Sequence, residues 1–88
     1  MKAVVTVIGQ DRVGIISEVA TILAQEKVNI LDVSQTILGT NFTMMMHIEI
    51  SEEYKLQKLI DQFKAKEKLF NLKIKLFNED VFNAMHTV

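Results

Sequence analysis

Cysteine is absent from the 88 residues, which removes disulfides, thiolate metal sites and cysteine nucleophiles together. A surplus of positive charge is missing too: ten basic residues stand against eleven acidic ones, for a formal net charge of -1. The chain therefore lacks the field that supplies most nonspecific affinity for phosphate backbones, and no direct nucleic-acid partner is expected. Long unbroken apolar stretches are also lacking. The opening, Met1 to Gly14, carries one lysine and a short alternating apolar run, unlike the core of a signal peptide or a membrane span. This predicts a cytoplasmic protein with no membrane partner. No paired carboxylates, Ser-His-Asp set or phosphate loop stands at usable spacing, and His86 has no acidic neighbour at metal-ligand spacing. Catalytic residues, a bound metal and a cofactor are accordingly not expected.

What is present is apolar: 49% of the residues, spread along the whole chain, as in a folded globule rather than a linker. Eighty-eight residues fit one domain. A domain of that size removes only roughly 60% of its unfolded surface from water, so its margin of stability is thin and association would add to it.

Lys2 to Ile8 is rich in β-branched residues and predicts a strand ending at Gly9. Ile16, Val19, Ala20 and Leu23 recur at three- and four-residue spacing, with Ser17, Glu18, Thr21 and Gln25 opposite, so a helix is expected over 13–26. From Asn29 to Leu38, Leu31, Val33 and Ile37 alternate with Asp32, Ser34 and Thr36, the pattern of a half-buried strand. After Gly39, Thr40 and Asn41, the run Phe42, Met44, Met46, Ile48, Ile50 alternates with Thr43, Met45, His47 and Glu49, which makes these two strands a hairpin. Ser51 is the expected cap of a second helix whose stripe is Leu56, Leu59, Ile60 and Phe63, with Lys64, Lys66 and Lys68 at its negative end. Leu69 to Phe77 alternates again and reads as a fourth strand. Val81, Phe82 and Met85 stand at helical spacing in a terminal extension, 78–88, too short to be a stable helix alone.

The order β-α-β-β-α-β with two right-handed crossovers predicts an α+β, ferredoxin-like sandwich: an antiparallel four-stranded sheet of order 4-1-3-2, both helices on one face, and a short C-terminal helix. The open face would then present Thr43, Met45, His47, Glu49, Lys73 and Lys75, without the exposed aromatics of an RNA-binding sheet.

The segment Gly9, Gln10, Asp11, Arg12, Val13, Gly14, Ile15 joins the first strand to the first helix, and Lys27, Val28, Asn29, Ile30 opens the second strand. A helix start offers free N–H groups and partial positive charge, suited to a carboxylate. Gly14 admits close approach to the backbone. Asp11 can accept from an α-amino group, while Asn29 both donates and accepts. Capping, packing and turn formation are the alternative roles of Asp11, Gly14 and Asn29.

The two segments resemble the signatures of the ACT domain, a D-R-P-G-hydrophobic turn and a later V-N-I. The chain over 1–77 is similar to the stand-alone ACT proteins related to the glycine-cleavage transcriptional repressor. Val13 stands where that pattern has proline, and Lys27 where it has glycine. The resemblance implies a regulatory, non-enzymatic homodimer, formed through the edge of strand two and helix one. It also implies a small-molecule ligand, an amino acid, bound by Gly9 to Ile15 with Asn29 and Ile30, and a regulated enzyme or regulator downstream. Two alternatives share the topology: a structural module without ligand, and an acylphosphatase-like hydrolase for which Arg12 and Asn41 are the only candidates. The loop lacks the glycine-rich phosphate cradle of the latter.

Overall fold

Val4, Val5, Thr6, Val7 and Ile8 put five β-branched residues into the first strand, and this strand takes an interior place in the sheet. The computed structural model describes residues 1–10 and 14–86. Its elements are β1 (Lys2–Gln10), α1 (Ile15–Gln25), β2 (Asn29–Leu38), β3 (Asn41–Glu49), α2 (Tyr54–Phe70), β4 (Leu72–Asn78) and α3 (Glu79–His86). β1 pairs antiparallel with β3 and β4, and β2 pairs with β3. The sheet order β2-β3-β1-β4 is the expected 4-1-3-2 read from the other edge.

One face of the sheet supplies Ala3, Val5, Val7, Met44, Met46, Ile48 and Ile74 to a core closed by Val19 and Leu23 of α1 and Leu59 and Phe63 of α2. Full burial of each large side chain contributes about 1.5–3 kcal/mol before ordering entropy is subtracted. Met44 and Met46 belong to this core, while Met45 points the other way beside Thr6.

The opposite face is covered at one end by α3. Val4 is fully buried yet belongs to no part of the helix-side core. It stands opposite Phe77 on β4, whose ring meets that of Phe82 with centroids 6.1 Å apart. Asn78 starts the helix by accepting the N–H of Asp80 at 2.8 Å, a capping geometry that releases the chain from strand to helix without a loop. Phe82→Ala is expected to cost about 3 kcal/mol, at the low end for a lost phenyl. Hydrogen exchange should then quicken in α3 and at the end of β4 while the amides of β3 keep their protection.

Five expectations change. β1 continues through Gly9 to Gln10, because Gly9 lies opposite Leu72 inside the β1–β4 ladder. α1 starts two residues later than the apolar spacing predicts, after Gly14 in a left-handed conformation. It ends in a Schellman motif, with Val28 N–H to Leu23 O at 2.9 Å and Lys27 N–H to Ala24 O at 3.0 Å. Lys27, at φ 57, occupies the position where that motif favours glycine. α2 is not capped by Ser51; it follows Glu53 with no side-chain cap, and Ser51 Oγ instead lies 3.5 Å from Lys55 Nζ. Leu69 and Phe70 are helical, since α2 runs on to a left-handed Asn71 before β4 begins.

β2 differs most. A register shift between Ile30 and Asp32 sets Ile30, not Leu31, opposite Ile48, so Ile30, Val33, Gln35 and Ile37 share the helix-side face. The strand is not half-buried: every residue from Asn29 to Ile37 is exposed.

Candidate functional site

Gly14 sits at φ 93 before the first turn of α1, a conformation that a side chain would strain. Among the described residues no side chain caps this helix start, while Glu18 N–H closes the first turn on Gly14 O at 2.9 Å. Ile15 is buried and anchors the turn in the core, and Ile16 beside it is 42% exposed. The amides of Ile15, Ile16 and Ser17 have no acceptor within the helix.

Between this turn and β2 lies a cavity of about 260 Å³, walled by Gly14 to Ser17, Gln35, Ile37 and Phe42. Among the described residues no titratable side chain lines it. Its polar groups are main-chain amides, the Ser17 hydroxyl and the Gln35 amide, above an apolar floor. Such a recess suits a small carboxylate placed on the positive end of the helix.

The sequence-derived residues divide into separate places. Gly14 and Ile15 line the cavity. Gly9 packs against Leu72, and a Cβ on it would collide with Leu72 Cδ2. Gln10 lines a different cavity, with Asn41, Lys68 and Lys73. Asn29 lies opposite Glu49, whereas the cavity end of β2, at Leu38, lies opposite Asn41. Asn29 and Ile30 are thus toward the far end of a ten-residue strand, about 20 Å from Gln35 and Ile37 along its length. Within one chain they do not meet the helix start. Asp11, Arg12 and Val13 lie outside the described residues. Ser17, Gln35, Ile37 and Phe42 were not singled out from the sequence; Gln35 stood in phase with Val33 and Ile37, and its period-two position was the available signal.

Beside the cavity the surface is apolar. Ile30 is 38%, Val33 45% and Ile37 53% exposed, all on one face of an edge strand next to Ile16. One outward N–H on this edge, that of Val33, is held by Asp32 Oδ1 at 2.9 Å. Among the described residues no group of three or more His, Cys, Asp or Glu could hold a metal ion, and no helix is long and apolar enough to cross a membrane.

This sandwich, with its glycine-led first helix and free second strand, defines a class. Residues 2–76 match the ACT domain, and the chain belongs to that family, one of regulatory ligand-binding domains. Within it the chain is similar to the UPF0237 proteins: that of Streptococcus mutans is 39% identical over 88 residues, all of both chains. The solved ACT domain protein from Streptococcus pneumoniae superimposes with a TM-score of 0.81 at 36% identity, over 93% of each chain. A solved chain assigned as a glycine cleavage system transcriptional repressor follows at a TM-score of 0.77 and 25% identity, over 85% of this chain and 43% of that one.

Proposed function

We propose that this protein is a cytoplasmic amino-acid-sensing module that works as a homodimer, catalyses no reaction, and passes its ligand state to an enzyme or regulator. The observation that carries the reading is the exposed apolar edge of β2 adjoining the cavity at the start of α1. An edge strand with Ile30, Val33 and Ile37 in water is a template for a second copy. A two-fold axis pairs β2 antiparallel with its mate. Antiparallel pairing sets the Asn29 end of one strand beside the Leu38 end of the other, so Asn29 and Ile30 of the mate approach Gly14 and Ser17. The helix start would then take the α-carboxylate, and the Asn29 carbonyl of the mate together with Asp11 would take the ammonium group.

The two sheet edges differ in a way that ends the assembly at one axis. β4 carries Lys73 and Lys75, both exposed, and its Ile74 N–H is held by Glu67 Oε1 at 2.8 Å. Lysines on an edge oppose self-pairing. β2 carries none. Ligand affinity that differs between dimer arrangements, or between dimer and monomer, supplies the switch.

Calorimetric titration with the common amino acids tests the ligand. Heat is expected with a small one, and Asn29→Ala and Asp11→Ala should each weaken binding about tenfold, the effect of losing one hydrogen bond to a charged group. Absence of heat with every amino acid defeats the sensing role and leaves the dimer standing.

A further inference from the structure

The flank formed by α2 and β4 holds a concentration of charge that the ligand site does not use. The two elements run antiparallel around Asn71, which brings Lys64 level with Lys75 and Lys68 level with Lys73. The first pair lines a cavity of about 140 Å³, the second a cavity of about 600 Å³. Glu67 lines both, and its carboxylate is engaged with the edge N–H of Ile74 at 2.8 Å. All four lysines are exposed. None forms an ion pair among the described residues, whereas Lys58 and Lys66 are paired with Glu26 and Glu18.

Four unneutralised positive charges between positions 64 and 75 are unexpected in a chain of net charge -1. Lysines one helical turn apart, or on alternate residues of one strand face, repel each other. Protection of an edge explains Lys73 and Lys75. It does not explain why α2 adds Lys64 and Lys68 on the other side of the same trough, nor the recess walled by Ile60, Phe63 and Leu76.

We propose that the α2–β4 flank is a docking surface for an extended acidic segment of a partner protein, lying along the free edge of β4. Such a segment satisfies three features at once: main-chain groups for the edge, where among the described residues Ile74 N–H alone is already held by Glu67, carboxylates for the lysines, and apolar side chains for the recess. Lys73 and Lys75 are two strand residues apart, about 7 Å. Carboxylates on alternate residues of an extended peptide have the same spacing. The intervening side chains then turn toward α2 and its recess. A polyphosphate or a nucleic acid brings the charge but neither the main-chain partners nor the apolar side chains.

The test uses a fluorescein-labelled peptide in which glutamate alternates with valine and threonine, followed by anisotropy at low and at physiological salt. A peptide of the same composition with its glutamates in one block, and inorganic polyphosphate as competitor, complete the set. The alternating peptide is expected to bind more tightly than the block peptide. Lys73→Glu with Lys75→Glu should weaken it by at least about tenfold through lost charge complementarity, and Lys64→Glu with Lys68→Glu should do so independently. Lys2→Glu, at the opposite end of the sheet, should leave binding unchanged. Circular dichroism of each variant checks the fold, and the second pair of substitutions serves should the first not fold. No binding of the alternating peptide, equal binding of both peptides, or polyphosphate binding tighter than either overturns the proposal.

Discussion

Gly9→Val is expected to cost the domain about 3 kcal/mol, the upper part of the range for overpacking a filled site. A total stability of roughly 4–13 kcal/mol is ordinary for a domain of this size, so the loss is a large fraction of the whole. Gly9 is in the β1–β4 ladder directly opposite Leu72, and an added Cβ meets Leu72 Cδ2 and approaches Asn71 O at 3.4 Å. Leu72 is buried, so its side chain cannot turn aside freely. In urea the unfolding midpoint should fall by about 2 M if the slope is near that of small domains. The cause is checked by a double-mutant cycle: Gly9→Ala in a Leu72→Ala background should cost less than in the native chain, with a coupling of about 1 kcal/mol. Strict additivity would show that Leu72 is not what Gly9 makes room for.

If the proposed dimer forms through β2, Ile37→Lys is expected to leave the protein monomeric at micromolar concentration, weakening self-association about a hundredfold, as for an interface hot spot. Ile37 is half exposed on the chain alone, and a lysine there costs the isolated domain little. Paired across a two-fold axis, the substitution sets two new charges in an apolar seam. Sedimentation velocity reads the mass. Asp32→Ala works in the opposite direction: it frees the Val33 N–H that Asp32 holds and should strengthen association about fivefold, the value of one hydrogen bond. A native protein that sediments as a monomer at all concentrations would remove the dimer, and with it the shared amino-acid site.

Most of the fold was legible because period-two and period-three-to-four patterns alternate cleanly along the chain. The boundaries that moved have local causes. Leu69 and Phe70 fit either continuation by type, and the left-handed Asn71, not their hydrophobicity, decides where α2 stops. Ser51 had the chemistry of a cap but sits two residues too early to serve Tyr54. Leu31 lost its face to a bulge, which inserts one residue and flips the phase of everything before it. The candidate site was legible only in part. Gly14 announced itself by type, yet Gln35 and Phe42 are distant in sequence and reach the cavity only through the β2–β3 pairing.

The order of elements, the central place of β1 and the split of each strand into an inner and an outer face follow from residue types alone, since burial of apolar side chains selects one phase of each repeat. Which apolar residues remain in water did not follow. α1 and α2 cover β1, β3 and β4 and leave β2 uncovered, so residues of the same type are core in one strand and surface in the other. The lysine pairs of α2 and β4 likewise exist only in three dimensions, because a tight turn at Asn71 folds one run of charge back against another.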